Sequence, residues 1–224
     1  MPLHPDPPAR RPGHQPMFNV PPVTLWLVGA IAAMFVLVHA LPGSWSITLQ
    51  AWLSVIPLRL QDALAGPYGV ETAAAAATLL TYALIHVSML HFLVNAGFLL
   101  AFGSFCERGL GRQRYLVLVA GSAVAAGATQ AAVDWGQPII VYGASGIVSG
   151  CMGGMIRLVL AGGHPERQRF VLSFVGVLFA LNLLVGLLGA SILPLDAEVA
   201  WEAHIGGFVA GLLLAAPPRR ERYG

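Results

Sequence analysis

Long apolar stretches separated by short polar connections dominate the chain. Six of these stretches are near the roughly 20 mostly apolar residues that a helix needs to cross a bilayer. They cover approximately residues 23–41, 76–105, 115–133, 143–161, 170–193 and 200–216. The pattern predicts an all-α membrane protein in which residues 23–216 form one bundle of six transmembrane helices.

The segments outside these stretches have a different composition. Residues 1–22 are rich in Pro, His and Arg and are predicted to be a disordered tail rather than a signal peptide, because Pro-rich sequence precedes the first apolar run. Residues 217–224 form a second short tail. Between the first two stretches, Trp45 and Trp52 indicate either an amphipathic piece in the headgroup region or, equally well, a hydrophobic loop packed on the bundle.

Arginine supplies every basic side chain, and its distribution predicts an orientation. Arginines cluster before the first stretch, between the second and third, around the fourth-to-fifth connection and after the sixth. Six alternating spans put these clusters on one side, and only Arg59 falls opposite. Because short Arg-rich loops stay in the cytoplasm, both termini are predicted to be cytoplasmic.

Composition agrees with a membrane location. Hydrophobic residues make up 57% of the chain and charged residues 10%, whereas a soluble domain has about 25% charged residues. The net charge of +2 does not indicate a nucleic-acid partner. Arg-only basic usage and abundant Ala favour a GC-rich genome, so we expect a multi-pass protein of the bacterial inner membrane, with the lipid bilayer as its surroundings.

Polar side chains inside apolar stretches are costly and tend to be functional. His91 and Asn95 lie roughly 40° apart around a helix and share a face, whereas His86 lies roughly 140° from His91. That separation argues against a two-histidine metal site of the H-E-x-x-H type, which also needs its Glu. Cys106 and Cys151 show no metal-ligand spacing and are predicted to be buried as small hydrophobes. No metal or cofactor is predicted.

Topology predicts that Ser145 and His204 lie at the same depth as His91 and Asn95, toward the outer side. A serine becomes a good nucleophile when a base takes its proton, and His204 is the natural base. Glu202 points to another side of the same helix, and no other carboxylate lies deep in a span. The sequence therefore predicts a Ser-His dyad rather than a triad.

A helix that starts at Ser145 also supplies unpaired N–H groups for an oxyanion. Gly143 and Ala144 leave room for a substrate carbonyl, and His91 with Asn95 can add side-chain donors. Each cluster has a simpler interpretation, since glycines let helices pack closely and single polar residues form interhelical hydrogen bonds. Their conjunction at one depth favours the chemical interpretation.

The chain resembles the rhomboid intramembrane serine proteases over about residues 81–214. The second stretch is similar to the family's H-x4-H-x3-N pattern, which is followed by Glu-Arg-x-x-Gly. Gly143-Ala144-Ser145-Gly146 is similar to its G-x-S-G, and the residues from Ala203 to Gly211 are similar to its A-H-x-x-G-x-x-x-G. Any one motif is weak, whereas all three in this order are highly specific.

The resemblance implies a six-helix core with a water-filled, outward-opening active site. It implies Ser145 as the nucleophile and His204 as the general base, with His91 and Asn95 helping to hold the oxyanion. It also implies that the substrates are other membrane proteins, cut in or near a transmembrane helix where small or helix-breaking residues let the chain unwind.

Two positions depart from the family's pattern. Ala77-Thr78 replaces the Trp-Arg pair that some members carry before the second span, so the first external loop is expected to be braced differently. Ser149 stands where many members place an aromatic residue that packs on the histidine.

Two other functions are compatible with a helical membrane protein. An inactive rhomboid-like protein that binds membrane-protein clients is the alternative function. A transporter or channel is disfavoured, because the inner halves of the stretches show little polarity beyond Asn182.

Overall fold

A computed structural model describes residues 19–192 and 200–216, most of which are helical. The helices are α1 (Pro22–Ala40), α2 (Gly43–Leu53), α3 (Pro57–Ala65), α4 (Val70–Thr81), α5 (Met89–Phe98), α6 (Ser104–Leu110), α7 (Arg112–Val133), α8 (Ser145–Ala161), α9 (Pro165–Ile192) and α10 (Trp201–Leu214). Residues 1–18 of the tail predicted over residues 1–22, and the whole of the tail predicted over residues 217–224, lie outside the described residues.

The all-α membrane bundle is confirmed. Four described stretches are long and apolar enough to cross a membrane, namely Pro22–Ala40, Met89–Leu110, Arg112–Val133 and Pro165–Val185. α8 and α10 are also apolar but shorter, with 17 and 14 residues. α8 is mostly buried by its neighbours, so its surroundings are largely protein rather than lipid. The number of six spans stays a prediction.

The second apolar stretch is not one helix, and the prediction of a continuous segment over residues 76–105 is wrong. α4 ends at Thr81, a 3₁₀ turn follows, and the backbone is extended at Ile85. The Ser88 side chain then accepts a hydrogen bond from the third backbone N–H of α5, at 3.2 Å. This N-cap starts a new helix at Met89. Apolar periodicity does not show the break, because the residues on both sides are equally apolar.

The stretch between α1 and α4 folds as two short helices with outward-facing tryptophans. Trp45 and Trp52 are 68% and 64% exposed, and α2 has no buried residue. This exposure favours the amphipathic interpretation over a loop packed on the bundle.

Arg59, the arginine that departs from the charge pattern, braces this stretch. Its guanidinium donates to the carbonyl oxygens of Ala51 at 2.9 Å and Ser54 at 2.6 Å, where α2 ends. These bonds satisfy carbonyls that have no partner within the helix. Burial lowers the pKa of Arg59, but an arginine stays protonated in proteins. Some members of the family carry a Trp-Arg pair where this chain has Ala77-Thr78. In this chain Arg59 instead braces the stretch between α1 and α4.

The start of α1 is held by a carboxylate from a distant part of the chain. Glu107 of α6 is buried and accepts hydrogen bonds from the backbone N–H groups of Val23 at 3.0 Å and Thr24 at 2.7 Å, and from the Thr24 hydroxyl at 2.8 Å. α1 has no side-chain cap of its own, so Glu107 satisfies donors that the helix cannot. The neighbouring Cys106, and Cys151 of α8, are buried free thiols, as predicted.

Glycines set the close approach of α8 and α10 in the centre of the bundle. A Cβ atom on Gly207 would collide with the carbonyl oxygen of Gly146, and one on Gly211 would collide with that of Gly150. Only glycine lets the two backbones come so near. Gly146 follows Ser145 directly, and Gly207 lies one turn after His204, so this contact fixes the relative position of the two helix starts.

Candidate active site

Ser145 is the first residue of α8 and follows a turn that needs glycine. Gly143 has φ of +114°, a region that side-chain-bearing residues rarely adopt. The Ser145 side chain is half-buried. Within the described residues, the backbone N–H groups of Ser145 and Gly146 have no acceptor, as expected for the first turn of a helix. The hydroxyl therefore lies beside two free N–H donors.

The turn before Ser145 is held from three directions. Gly143 N–H donates to the Tyr82 carbonyl at 3.0 Å, and Ala144 N–H donates to Nε2 of His86 at 3.3 Å. Further upstream, Val141 and Val55 exchange two backbone hydrogen bonds of 2.9 and 3.1 Å. The N–H groups of Gly143 and Ala144 are thus engaged. What these two residues offer a substrate is the space they leave, and their role as substrate-binding residues stays a prediction.

His91 reaches this turn from α5. Its imidazole lies against Gly143, where a Cβ atom would stand 2.7 Å from Cε1 and 2.8 Å from Nε2. A side chain at position 143 would displace the ring, so the contact as well as the φ angle requires glycine. Asn95, one turn further along α5, is buried and donates from its amide to the His91 carbonyl at 2.9 Å. The structure therefore brings His91 to the turn before Ser145. The Asn95 side chain is hydrogen-bonded to the backbone of His91 within α5.

His204 lies in the first turn of α10 and is 3% exposed. Its Nδ1 atom is buried and has no hydrogen-bond partner among the described residues. In the same part of the chain, no hydrogen bond joins His204 to the Ser145 hydroxyl. Hydrogen bonds between catalytic groups are often long without substrate and tighten in the complex. The glycine contact one turn deeper brings their two helices together.

His86 lies at the candidate site, although helical periodicity predicts that it faces away from His91. On a continuous helix it would face away from His91, but the break before α5 brings the two ring centroids to 4.8 Å. His86 is fully buried, and it accepts the N–H of the residue before Ser145. The signal that could have found it is Ser88, an N-cap residue two positions later. Among the described residues, no group of three or more His, Cys, Asp or Glu is placed to hold a metal.

Comparisons with known proteins agree on one family. The family model for the Rhomboid domain matches residues 73–220. The chain is similar to Rhomboid protease GlpG of Yersinia pestis, with 30% identity over 135 residues, which are 60% of this chain and 45% of the relative. It is similar to Rhomboid protease GlpG of Pectobacterium atrosepticum, with 33% identity over 135 residues (60% and 46% of the two chains). A third relative is Rhomboid protease GluP of Bacillus subtilis, with 27% identity over 140 residues (62% and 25%). The matched region spans less than half the length of each relative.

Proposed function

Because the chain belongs to the rhomboid family, whose model matches residues 73–220, we propose that it is an intramembrane serine endopeptidase. Its substrates are membrane proteins, cut in or near a transmembrane helix. The observation that carries the proposal is the convergence at the Ser145 turn. The His91 ring touches Gly143, and Gly207, one turn after His204, touches Gly146. These two contacts support the proposal that three polar clusters far apart in sequence form one site.

In the proposed mechanism, the Ser145 hydroxyl attacks the carbonyl carbon of the scissile peptide. His204 accepts the hydroxyl proton as general base, which makes the oxygen nucleophilic. The carbonyl oxygen becomes an oxyanion as the tetrahedral intermediate forms. The protonated His204 then gives its proton to the leaving amine, and an acyl-enzyme ester remains on Ser145. A water molecule hydrolyses this ester by the same two steps, with His204 again as the base.

The developing oxyanion is held by donors that converge at the start of α8. The free N–H groups of Ser145 and Gly146 support this role, because donors already oriented toward developing charge need no reorganisation during the reaction. His91 supplies a ring N–H beside Gly143, and Asn95 supplies a second side-chain donor from the same helix. His86 serves the geometry of the turn, through the N–H of Ala144, rather than the oxyanion itself.

The proposed base works without a carboxylate partner. Nδ1 of His204 is buried and without a hydrogen-bond partner in the described residues, and this supports a dyad over a triad. Ser149 occupies the next turn of α8 and is buried, but it offers no aromatic surface to the imidazole. We infer that the position of His204 is set by the packing of α10 and by the hydrogen bonds that hold the start of this helix.

The orientation in the membrane is part of the proposal. Both termini are cytoplasmic and the Ser145 turn opens toward the outer side of a bacterial inner membrane. This follows from the arginine distribution in the sequence. Cysteine accessibility labelling of intact cells tests it. A cysteine in place of Ser44, before the exposed tryptophans, should react with an impermeant reagent, and a cysteine in place of His164 should not.

Cleavage of a model substrate tests the chemistry. The purified full chain is mixed with a substrate that has one transmembrane segment containing small and helix-breaking residues. Ser145→Ala and His204→Ala should each lower kcat by at least about a thousandfold, because each removes a reacting group. Ser122→Ala, which removes another buried hydroxyl, and His164→Ala, which removes an exposed imidazole, should cleave like the wild type. Cleavage by either dyad variant at the wild-type rate would refute the mechanism.

A fluorophosphonate probe distinguishes the protease from an inactive client-binding protein. The probe forms a covalent bond with an activated serine, so the folded wild type should be labelled at Ser145 and the His204→Ala variant should not. A wild type that is folded, binds membrane proteins and is never labelled would favour the binding protein instead.

A further inference from the structure

We propose that Gln130 and Asp134 form a clamp that positions His204, by holding the backbone of the residue that precedes it. This inference rests on the proposed role of His204 as general base. Gln130 lies in the last turn of α7 and Asp134 is the residue that directly follows this helix, and neither belongs to the three family motifs. They act on the base without touching it, so they are positioning residues rather than catalytic ones.

The clamp consists of two hydrogen bonds in series. The buried Gln130 side chain accepts the backbone N–H of Ala203 through Oε1, at 3.1 Å. Its Nε2 donates to Oδ2 of Asp134 at 2.6 Å. An ionised carboxylate only accepts hydrogen bonds, whereas a glutamine amide has a donor end and an acceptor end. Asp134 therefore attracts the donor end and leaves the acceptor end facing α10.

Asp134 is itself held in place at the end of α7. Its backbone N–H donates to the Gln130 carbonyl at 3.0 Å, so the two residues are joined by both main chain and side chain. The two side chains lie four residues apart in sequence and meet beside the last turn of the helix. The carboxylate is half-buried and the amide is buried, which shields the pair from competition by water.

The point of contact explains why this pair bears on the base. α10 begins at Trp201, so the N–H of Ala203 is one of the first donors of the helix, which have no partner within it. Without an acceptor, the first turn would be free to fray. His204 is the next residue, and its Nδ1 has no hydrogen-bond partner in the described part of the chain. Holding the backbone at Ala203 therefore fixes the position of the His204 backbone, from which the imidazole extends.

A neighbouring residue provides a matched control. Thr129 also faces α10, where its side chain lies against Gly206. Its hydroxyl donates to the Ala125 carbonyl of its own helix at 2.8 Å. Thr129 thus contributes to the packing of α7 on α10 without a hydrogen bond to α10. Thr129→Val keeps that packing and removes only a bond within α7.

The test compares four variants of the full chain in lipid nanodiscs. Gln130→Met keeps the volume and removes the acceptor. Asp134→Ala removes the carboxylate, whereas Asp134→Asn keeps an acceptor for the Gln130 amide. Thr129→Val is the packing control. Four quantities are measured for each: kcat and KM on the model substrate, the rate of Ser145 labelling by a fluorophosphonate, and the rate of amide hydrogen exchange in the peptide that contains Ala203.

Gln130→Met should lower kcat and the labelling rate together, by about tenfold, the effect of one buried hydrogen bond, while KM stays unchanged. Exchange at Ala203 should become faster by a similar factor. Asp134→Ala should lower kcat by a few-fold, and Asp134→Asn should restore the wild-type value. The clamp is refuted if Gln130→Met retains wild-type kcat, or if Thr129→Val lowers kcat as much as Gln130→Met does.

The outcomes separate this inference from the proposed function. A wild type that neither cleaves nor reacts with the probe would refute the protease, and exchange at Ala203 would still show whether Gln130 holds the helix start. A wild type that cleaves, together with a Gln130→Met variant of equal kcat and equal exchange, would refute the clamp alone. If Gln130→Met does not fold, the comparison of Asp134→Ala with Asp134→Asn decides, because equal kcat in these two would overturn the proposal.

Discussion

The glycine contact between α8 and α10 predicts that Gly207→Ala lowers both stability and activity. The added Cβ atom would collide with the Gly146 carbonyl oxygen and stand 2.9 Å from the carbonyl carbon. Because carbon atoms pack at about 3.5–4.0 Å, relieving the contact with the carbonyl carbon alone requires the helices to separate by roughly 0.6–1.1 Å. The closer contact with the carbonyl oxygen makes this a lower bound. Both partners of the collision are backbone atoms, so no side-chain rotation relieves it.

The separation should reduce both stability and activity. Overpacking of a close-packed interior costs about 1–3 kcal/mol, and we expect Gly207→Ala to lower the free energy of unfolding by that amount. The displacement also moves Ser145 away from His204. Since a misplacement of about 1 Å can lower a catalysed rate by about a hundredfold, kcat should fall by one to two orders of magnitude, roughly ten- to hundredfold.

The assay pairs this variant with a glycine that has space around it. Gly29→Ala in α1 adds a Cβ atom that meets nothing within 4 Å, so it should keep wild-type activity and stability. Unfolding is followed in detergent with increasing dodecyl sulfate, and kcat is measured on the model substrate. Equal kcat for Gly207→Ala and Gly29→Ala would show that the separation of α8 and α10 does not control the reaction.

Three further variants follow from contacts outside the dyad. Glu107→Ala should lower the free energy of unfolding by at least about 3 kcal/mol, because three buried donors at the start of α1 lose their charged acceptor at a cost of about 1 kcal/mol or more each; dodecyl-sulfate unfolding checks this against Arg112→Ala, which removes an exposed arginine and should resemble the wild type. His86→Leu should lower kcat about tenfold with little change in KM, because the N–H of Ala144 loses its acceptor; a wild-type kcat would show that His86 does not contribute to the active site. Arg59→Met should increase proteolytic nicking of the stretch between α1 and α4, because the last carbonyls of α2 lose their donor; unchanged digestion would contradict the brace.

Much of the fold follows from local properties of the chain. The length of an apolar run is fixed by bilayer thickness, which is why the bounds of α1, α7 and α8 lie within about three residues of their predicted positions. The three motifs, their order and the family could likewise be identified without coordinates. The break in the second stretch was missed, because a capping serine competes with apolar periodicity and only the folded chain shows which of them wins.

The contacts that complete the site depend on residues that are distant in sequence. Glu107 meets Val23 across 84 residues, and Gln130 meets Ala203 across 73. Nothing in the local pattern of either residue reveals such a partner, because a buried hydrogen bond depends on how helices pack and not on propensity. The same holds for Gly207 and Gly146. The sequence therefore identified Ser145 and His204 as candidate catalytic residues, while the packing of α7, α8 and α10 decided what holds them in position.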